Sequence, residues 1–277
     1  MTARVIAACL KCVDRRPAVD AFTGDVVHDE RSRGVSDADE AALEWALRLG
    51  EASGARVVAI SAGSQRCDSV LRDALAAGAD EARRVDIADD VPSGAVGAAI
   101  AAALPSEASI VVCGAWSLDR GSGSVPAFVA ADRVAAQALG LVSLSWTTDA
   151  ILAERRLDGG RRERLQLPTS RAAVLSVEGG SARLRRAPLD RVLATLDAEI
   201  TVVPSAAVAS TRPPLRSTPY RPRARVLPAP GRELDARSRI LALTGALVDR
   251  EPPRVLRLDP AAAADELLAQ LEAWGYR

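Results

Sequence analysis

Ser109-Ile110-Val111-Val112-Cys113-Gly114-Ala115-Trp116-Ser117-Leu118-Asp119-Arg120-Gly121-Ser122-Gly123-Ser124-Val125 passes from an apolar, β-branched run into a loop of glycine and serine, then into an alanine-rich segment. A short apolar run bounded by turn residues reads as a buried strand, and the segment after the loop reads as a helix over 125–139. Peptide N–H groups left free at a helix start carry partial positive charge, and glycines let an anion approach closely. The junction is therefore the candidate phosphate site of this chain. No Gly-Lys-Ser/Thr follows and the Rossmann glycine spacing is missing, which excludes both of those loops. A plain flexible connection is the alternative reading of the same residues.

Upstream, the alternation of strand and helix repeats. Strands are expected over 5–9, 56–61 and 82–87, with a short extended piece over 25–28. Helices are expected from Ser36 to Gly50 or Gly54, over 69–77 closed by Gly78, and over 93–104 ended by Pro105. Ser36 and Asp39 make a capping-box-like pair, and Asp37, Asp39 and Glu40 place negative charge on the helix start. Such alternation specifies a three-layer α/β fold, a doubly wound parallel sheet with helices on both faces and ligands outside the carboxyl ends of the strands. Those ends are 9–12, 61–63 and 114–124.

Downstream of Leu141 the pattern changes. Strands over 143–154 and 161–167 are joined through Asp158-Gly159-Gly160, a hairpin signal, and a short buried strand follows over 172–177. Residues 204–231 are rich in Pro, Arg and Ser and cannot build a core, so they read as an extended arm. A helix over 262–274 closes the chain at Gly275. This divides the chain into an α/β domain, 1–200, and a C-terminal arm with its terminal helix, 201–277, that wraps a partner.

Composition narrows the function classes. The 277 residues carry 36 Lys plus Arg against 36 Asp plus Glu, so no net positive field favours nucleic acid. His28 is the single histidine, which excludes paired-histidine metal sites, and Lys11 is the single lysine. No uncharged run reaches the roughly 18–20 residues that span a bilayer, and nothing at the start reads as an export signal, so a soluble cytoplasmic protein is expected. Four cysteines are too few for a disulfide scaffold. Cys9-Leu10-Lys11-Cys12 has redox spacing, but Cys9 ends a strand rather than opening a helix, so packing or ligand-lining thiols are expected. His28 reads as an exposed loop residue, Trp45 and Trp274 as packing residues. Trp116, inside the candidate loop, is placed either to stack on a base or to pack at the surface. The arginines of the arm (Arg212, Arg216, Arg221, Arg223, Arg225) are solvated or contact a partner. No catalytic constellation emerges.

The order of these motifs resembles the β-subunit of electron transfer flavoproteins along almost the whole chain. Lys11 with Val13-Asp14 resembles that family's Val-Lys-x-Val turn, and 39–49 its acidic, alanine-rich first helix. Residues 72–80 are similar to its Ala-Leu-Ala-x-Gly-Ala-Asp segment. Ser117-Leu118-Asp119 and Ser122-Gly123-Ser124-Val125 stand where it has Ser-Ile-Asp and Thr-Gly-Gln-Val. Asp158-Gly159-Gly160 and the tail Glu251-Pro252-Pro253-Arg254 also correspond. The resemblance implies an adenine-nucleotide-binding α/β domain in a heterodimer with an α-subunit that holds the redox-active FAD. It implies AMP in a pocket of this chain, electrons arriving from a donor dehydrogenase, and a carrier without bond chemistry of its own. Carried over by position, the cofactor-binding residues are Cys9, Ser36, Asp37, Ala38, Asp39, Ala62, Cys113, Gly114, Asp119, Gly121, Ser122, Gly123, Ser124 and Val125, within the stretches 113–119 and 121–125.

Departures from the family pattern are also legible. Its Asn-Pro-Phe/Tyr is here Ser36-Asp37-Ala38, without the aromatic near the flavin, and its Lys/Arg-Gln is Ala115-Trp116. The partner-recognition segment survives only as Arg183, Ala187-Pro188 and Thr195-Leu196-Asp197, with Ala187 in place of the leucine anchor. These changes imply a specialised branch, and the Arg/Ala-rich composition resembles β-subunits associated with mycofactocin-dependent systems. A nucleotide-binding sensor or stress-type domain of the same layered build is the alternative. An adenylate-chemistry enzyme lacks a basic or metal-binding constellation at the loop.

Overall fold

The computed structural model describes residues 5–20, 22–88, 91–205, 229–244 and 255–275. The chain divides into two units, Met1–Pro219 and Tyr220–Arg277. In the first unit lie nine main strands: β1 (Val5–Leu10), β2 (Arg56–Ala62), β3 (Glu81–Asp86), β4 (Ala108–Gly114), β5 (Ala136–Trp146), β6 (Ala150–Arg156), β7 (Arg162–Pro168), β8 (Ala173–Val177) and β9 (Thr201–Pro204). Their order in one sheet is β7-β6-β5-β8-β4-β1-β2-β3-β9. Only β6 runs antiparallel to its neighbours; the remaining pairs are parallel.

Alternation along β1 sorts the two faces. Ile6, Ala8 and Leu10 pack under α1 (Asp37–Ser53) and α2 (Asp68–Ala77), whereas Val5, Ala7 and Cys9 pack under α3 (Ser93–Ala103) and α4 (Val125–Asp132). This is the expected three-layer α/β build. The chain winds outward from β1 through β2 to β3, then crosses back to lay β4 on the other side of β1. Their carboxyl ends therefore part at a topological switch point, where open α/β sheets leave a crevice. Helix α5 (Leu189–Thr195), which the sequence reading missed, packs beside α2.

Two boundaries differ from expectation. The helix expected over 125–139 stops at Asp132, because Val134 takes a left-handed conformation (φ 49°). Its N–H bonds Ala131 O and the Ala135 N–H bonds Ala130 O, the two closures of a Schellman motif. A β-branched residue stands where glycine is usual, so the stop carried no glycine signal. The freed segment becomes β5, which buries Ala138 and Leu141. Tertiary pairing against β8 overrides the helical preference of Ala-Gln-Ala-Leu. The strand expected over 143–154 is likewise two strands, parted by a turn in which Thr147 N–H bonds Ala150 O at 2.8 Å. Asp158-Gly159-Gly160 joins β6 to β7, with both glycines at positive φ.

Thr201–Pro204, inside the span read as arm, forms the edge strand beside β3. The interior of the arm, with Arg212, Arg216, Arg221, Arg223 and Arg225, and the tail at 251–254 lie outside the described residues. In the second unit, α6 (Ala236–Thr244) and α7 (Pro260–Ala273) bury none of their residues. Asp259 caps α7 by accepting from Ala261 and Ala262 N–H, and Gly275 follows its end at positive φ. Among the described residues no helix is long and apolar enough to cross a membrane.

Val134 is 90% exposed, so its side chain contributes little packing to offset the left-handed backbone. Val134→Gly is expected to stabilise the protein by about 1 kcal/mol, read as a higher urea midpoint at unchanged slope. A midpoint at or below that of the parent protein would show no strain at this stop.

Candidate functional site

The crevice at the switch point is a cavity of about 620 Å³, within the roughly 300–1,000 Å³ range of small-molecule sites. Its back wall is a pair of thiols, Cys9 on β1 and Cys113 on β4, directly opposite in register. Contact with Cys9, then burial, pushes the Cys113 thiol well above its ordinary pKa, so it stays protonated. Gly114 ends β4 against the first turn of α1. A Cβ there would lie 2.4 Å from Asp39 Oδ1 and 3.0 Å from Asp39 N, so only glycine lets helix and strand meet.

Asp39 is the polar floor. Its carboxyl accepts the Lys11 N–H at 3.2 Å and the Gly114 N–H, tying the ends of β1 and β4 to the helix. The capping box expected with Ser36 is not formed. Ser36 instead caps α1 through its carbonyl, and its Oγ accepts the Leu118 N–H at 3.3 Å. Burial pushes Asp39 from 3.8 up to about 7, against the two N–H bonds and the Lys11 charge that favour its ionised form. Above it, Lys11 Nζ pairs with Asp119 at 2.6 Å, with Ser117 Oγ at 3.5 Å. Burial opposes ionisation of Asp119, but bonds from Lys11, Ser117 and the Arg120 N–H outweigh it and hold its carboxyl below the usual range.

The loop ahead of α4 forms the opposite side. Gly121 and Gly123 have φ of 62° and 59°, and a Cβ on Gly123 would lie 2.3 Å from Ala115 O. Ser122 and Ser124 bond each other through their hydroxyls at 3.0 Å. Ala127 and Phe128 N–H turn back to Ser124 O. Among the described residues, the N–H groups of Ser122, Gly123, Ser124 and Val125 have no protein acceptor. Such donors at a helix start make an anion-accepting side, and Lys11, Arg15, Arg33, Arg66 and Arg120 line the same cavity.

Residues 24–211, more than half of the chain, match a family described as electron transfer flavoprotein domain. The chain belongs to the electron transfer flavoprotein family. It is also 30% identical over 147 residues to the electron transfer flavoprotein subunit beta of Thermoanaerobacterium thermosaccharolyticum, covering 51% of this chain and 56% of that relative. The match thus spans about half the length of each.

In this family member, nine residues named from sequence meet around one cavity: Cys9, Asp39, Ala62, Cys113, Gly114, Asp119, Ser122, Gly123 and Val125. Five stand outside its wall. Ser36 and Ala38 are fully buried behind it, Gly121 shapes the turn, Ser124 braces Ser122, and Asp37 opens onto a neighbouring cleft. Sequence reasoning missed the wall built by 13–33. Two short ribbons there are pinned by Asp14, which accepts from Ser32, the Arg16 N–H, His28 and the Asp29 N–H and is held down to about 2, Ser32 contributing most. His28, read as an exposed loop residue, is one, and it also lines the cavity, with Nδ1 3.1 Å from Asp14. No motif announces such a wall, since its ribbons are two residues long. Among the described residues no cluster is suited to a metal ion.

Asp39 makes a signed pH prediction. With its pKa raised from 3.8 to about 7, the folded state holds an extra proton between those values, so its contribution falls as pH rises through that window and is fully present below it. Asp39→Asn is expected to flatten the dependence of the urea midpoint on pH between 4 and 7 and to raise the midpoint at pH 8. An unchanged slope would place the charge in water.

Proposed function

We propose that this chain is the β-subunit of a heterodimeric electron transfer flavoprotein, with an adenylate, AMP, held structurally in the switch-point cavity. The redox-active FAD belongs mainly to an α-subunit. When bound, FAD supplies the electron-carrying ring; this chain contributes a wall and no bond chemistry. The donor is a dehydrogenase, and the altered recognition segment fits a specialised one of the mycofactocin-associated kind. A cytoplasmic location accords with this role.

One observation carries the adenylate reading: Ser122, Gly123 and Val125, whose peptide N–H groups have no protein acceptor among the described residues, line a cavity whose wall holds more basic side chains than carboxylates. The cavity also offers an apolar stretch, Val91, Val96, Ile100 and the thiols, to a purine. The partner reading rests on the second unit, where no described residue is buried. A self-contained nucleotide sensor leaves that unit unexplained.

Two measurements test this. Ser122→Asp puts a carboxylate beside the free amides without the backbone clash that any side chain on Gly123 meets. It is expected to weaken AMP binding at least tenfold by calorimetry, through like-charge repulsion; unchanged affinity removes the loop from the site. Co-expression with an FAD-binding α-subunit is expected to give a yellow 1:1 complex carrying AMP by mass spectrometry. A colourless chain that ignores such a partner argues against the heterodimer.

A further inference from the structure

All four cysteines of the chain, Cys9, Cys12, Cys67 and Cys113, line the switch-point cavity. Sequence spacing pairs Cys9 with Cys12, but the fold parts them. Cys12 packs against the cluster under α1 and α2 and donates its thiol to Arg66 O at 3.6 Å, whereas Cys9 belongs to the cluster under α3 and α4. Cys113 belongs to that same cluster, and the parallel register sets it opposite Cys9 across β1 and β4. Neighbouring strands stand about 4.8 Å apart, inside the roughly 4.4–6.8 Å Cα separation that a disulfide spans. The two side chains are already hydrogen-bonded to each other, and both sulfurs are free thiols.

Position gives this pair a chemistry that packing alone does not need. Cys9 and Cys113 are 7% and 4% exposed, yet both reach the wall of a cavity of about 620 Å³. A small uncharged oxidant enters such a space, and a protein oxidant is kept out. Contact with Cys9, then burial, holds the Cys113 thiol protonated. A protonated thiol is a poor nucleophile, so Cys9 is the sulfur that meets the oxidant and Cys113 the one that resolves it.

We propose that Cys9 and Cys113 form a redox modification site, a reversible disulfide across the two strand ends, made by a hydroperoxide and screened by a nucleotide that fills the cavity. The pairing rests on the fold alone, and the screening rests on the nucleotide reading above. One peroxide oxygen passes to the Cys9 thiolate as a sulfenic acid; the O–O bond breaks and releases hydroxide, which takes up the proton that Cys9 has lost. The Cys113 sulfur then displaces the sulfenic hydroxyl, which leaves with the Cys113 proton as water. Two thiols lose two electrons and two protons, and one hydrogen peroxide becomes two waters. A dithiol reductant restores both thiols by exchange. The link falls just before Lys11 and Gly114, whose amides hold Asp39, so it staples the strands that the cavity floor already joins.

Cleavage after Lys11, Arg66 and Arg84 puts each cysteine in a tryptic peptide of its own, so mass spectrometry assigns the pairing directly. The reduced full chain is treated with hydrogen peroxide, denatured in an alkylating agent and digested. The Cys9 and Cys113 peptides are expected to be linked, and the link to vanish with dithiothreitol. In Cys113→Ala, Cys9 is expected to stop at a sulfenic acid that dimedone traps; in Cys9→Ala, Cys113 is expected to remain a thiol. The parent protein alone decides the pairing if either variant fails to fold. Linkage of Cys9 to Cys12 or Cys67 overturns the site. So do unlinked Cys9 and Cys113 at a peroxide dose that oxidises the thiols of the denatured chain. AMP at about ten times its calorimetric Kd is expected to slow linkage about tenfold, since about a tenth of the cavities stay open. An unchanged rate with AMP bound overturns the screening. If calorimetry detects no AMP binding, the screening falls with the adenylate reading, and the peptide map still decides the disulfide.

Discussion

The close approach of α1 to the end of β4 is the constraint from which the rest of the site follows. Gly114 has no room for a side chain against Asp39, and the Asp39 carboxyl takes up amides from both β1 and β4. A buried carboxylate is costly in a medium of low polarity, and only groups that satisfy it in place make it tolerable. Here those groups are the strand-end N–H donors that would otherwise point into the crevice unpaired. One side chain thus closes the bottom of the cavity and fixes the gap between two strands.

Helix α1 carries that geometry further. Four residues on from the first turn, Glu44 is buried and accepts from Arg48 at 2.7 Å and from the Arg185 N–H and guanidinium at 3.1 and 3.0 Å. Burial alone would raise the Glu44 carboxyl, but the arginine bonds prevail and hold it below its usual range. Arg185 reaches Glu51 on the same helix, and Trp45 bonds Ser181. The segment after β8 is therefore seated on the helix that floors the cavity. This segment leads into α5, whose Leu189 and Leu193 are exposed, as is Leu196 beyond it. Gly179, on the same segment, lies so close to Asp37 and Ala38 at the start of that helix that a side chain there would crowd them.

Local pattern alone makes much of this legible. The strand periodicity around β1, β2 and β4, the glycine stops at Gly54 and Gly78, and the Asp158-Gly159-Gly160 hairpin are each written in a few adjacent residues. The Ser122–Val125 loop is legible for the same reason, since a strand, a glycine-rich turn and a helix start follow one another directly. What local pattern does not carry is choice of partner. Asp39 resembles a capping residue until β1 supplies a better donor. Ala136–Leu141 resembles helix until β8 offers an edge. Asp14 gives no sign that it will gather Ser32, His28 and two amides, because those partners come from a segment without periodicity.

The C-terminal unit poses the opposite problem, since its described helices form with none of their residues buried. Leu267, Leu268, Leu271 and Trp274 recur at helical spacing on and just beyond α7, which is the stripe of a helix with one face to bury. Yet all four are exposed, and α6 leaves Ile240 and Leu243 exposed as well. A segment this short rarely stabilises itself on apolar burial. Its cap at Asp259 and its stop at Gly275 are nonetheless in place, so the local signals agree with one another while the apolar face stays exposed among the described residues. Agreement at the level of the helix, combined with an apolar face exposed among the described residues, is the feature that the partner proposal uses. For that reason the partner reading draws on this unit more than on the switch-point cavity, which lies within the α/β unit.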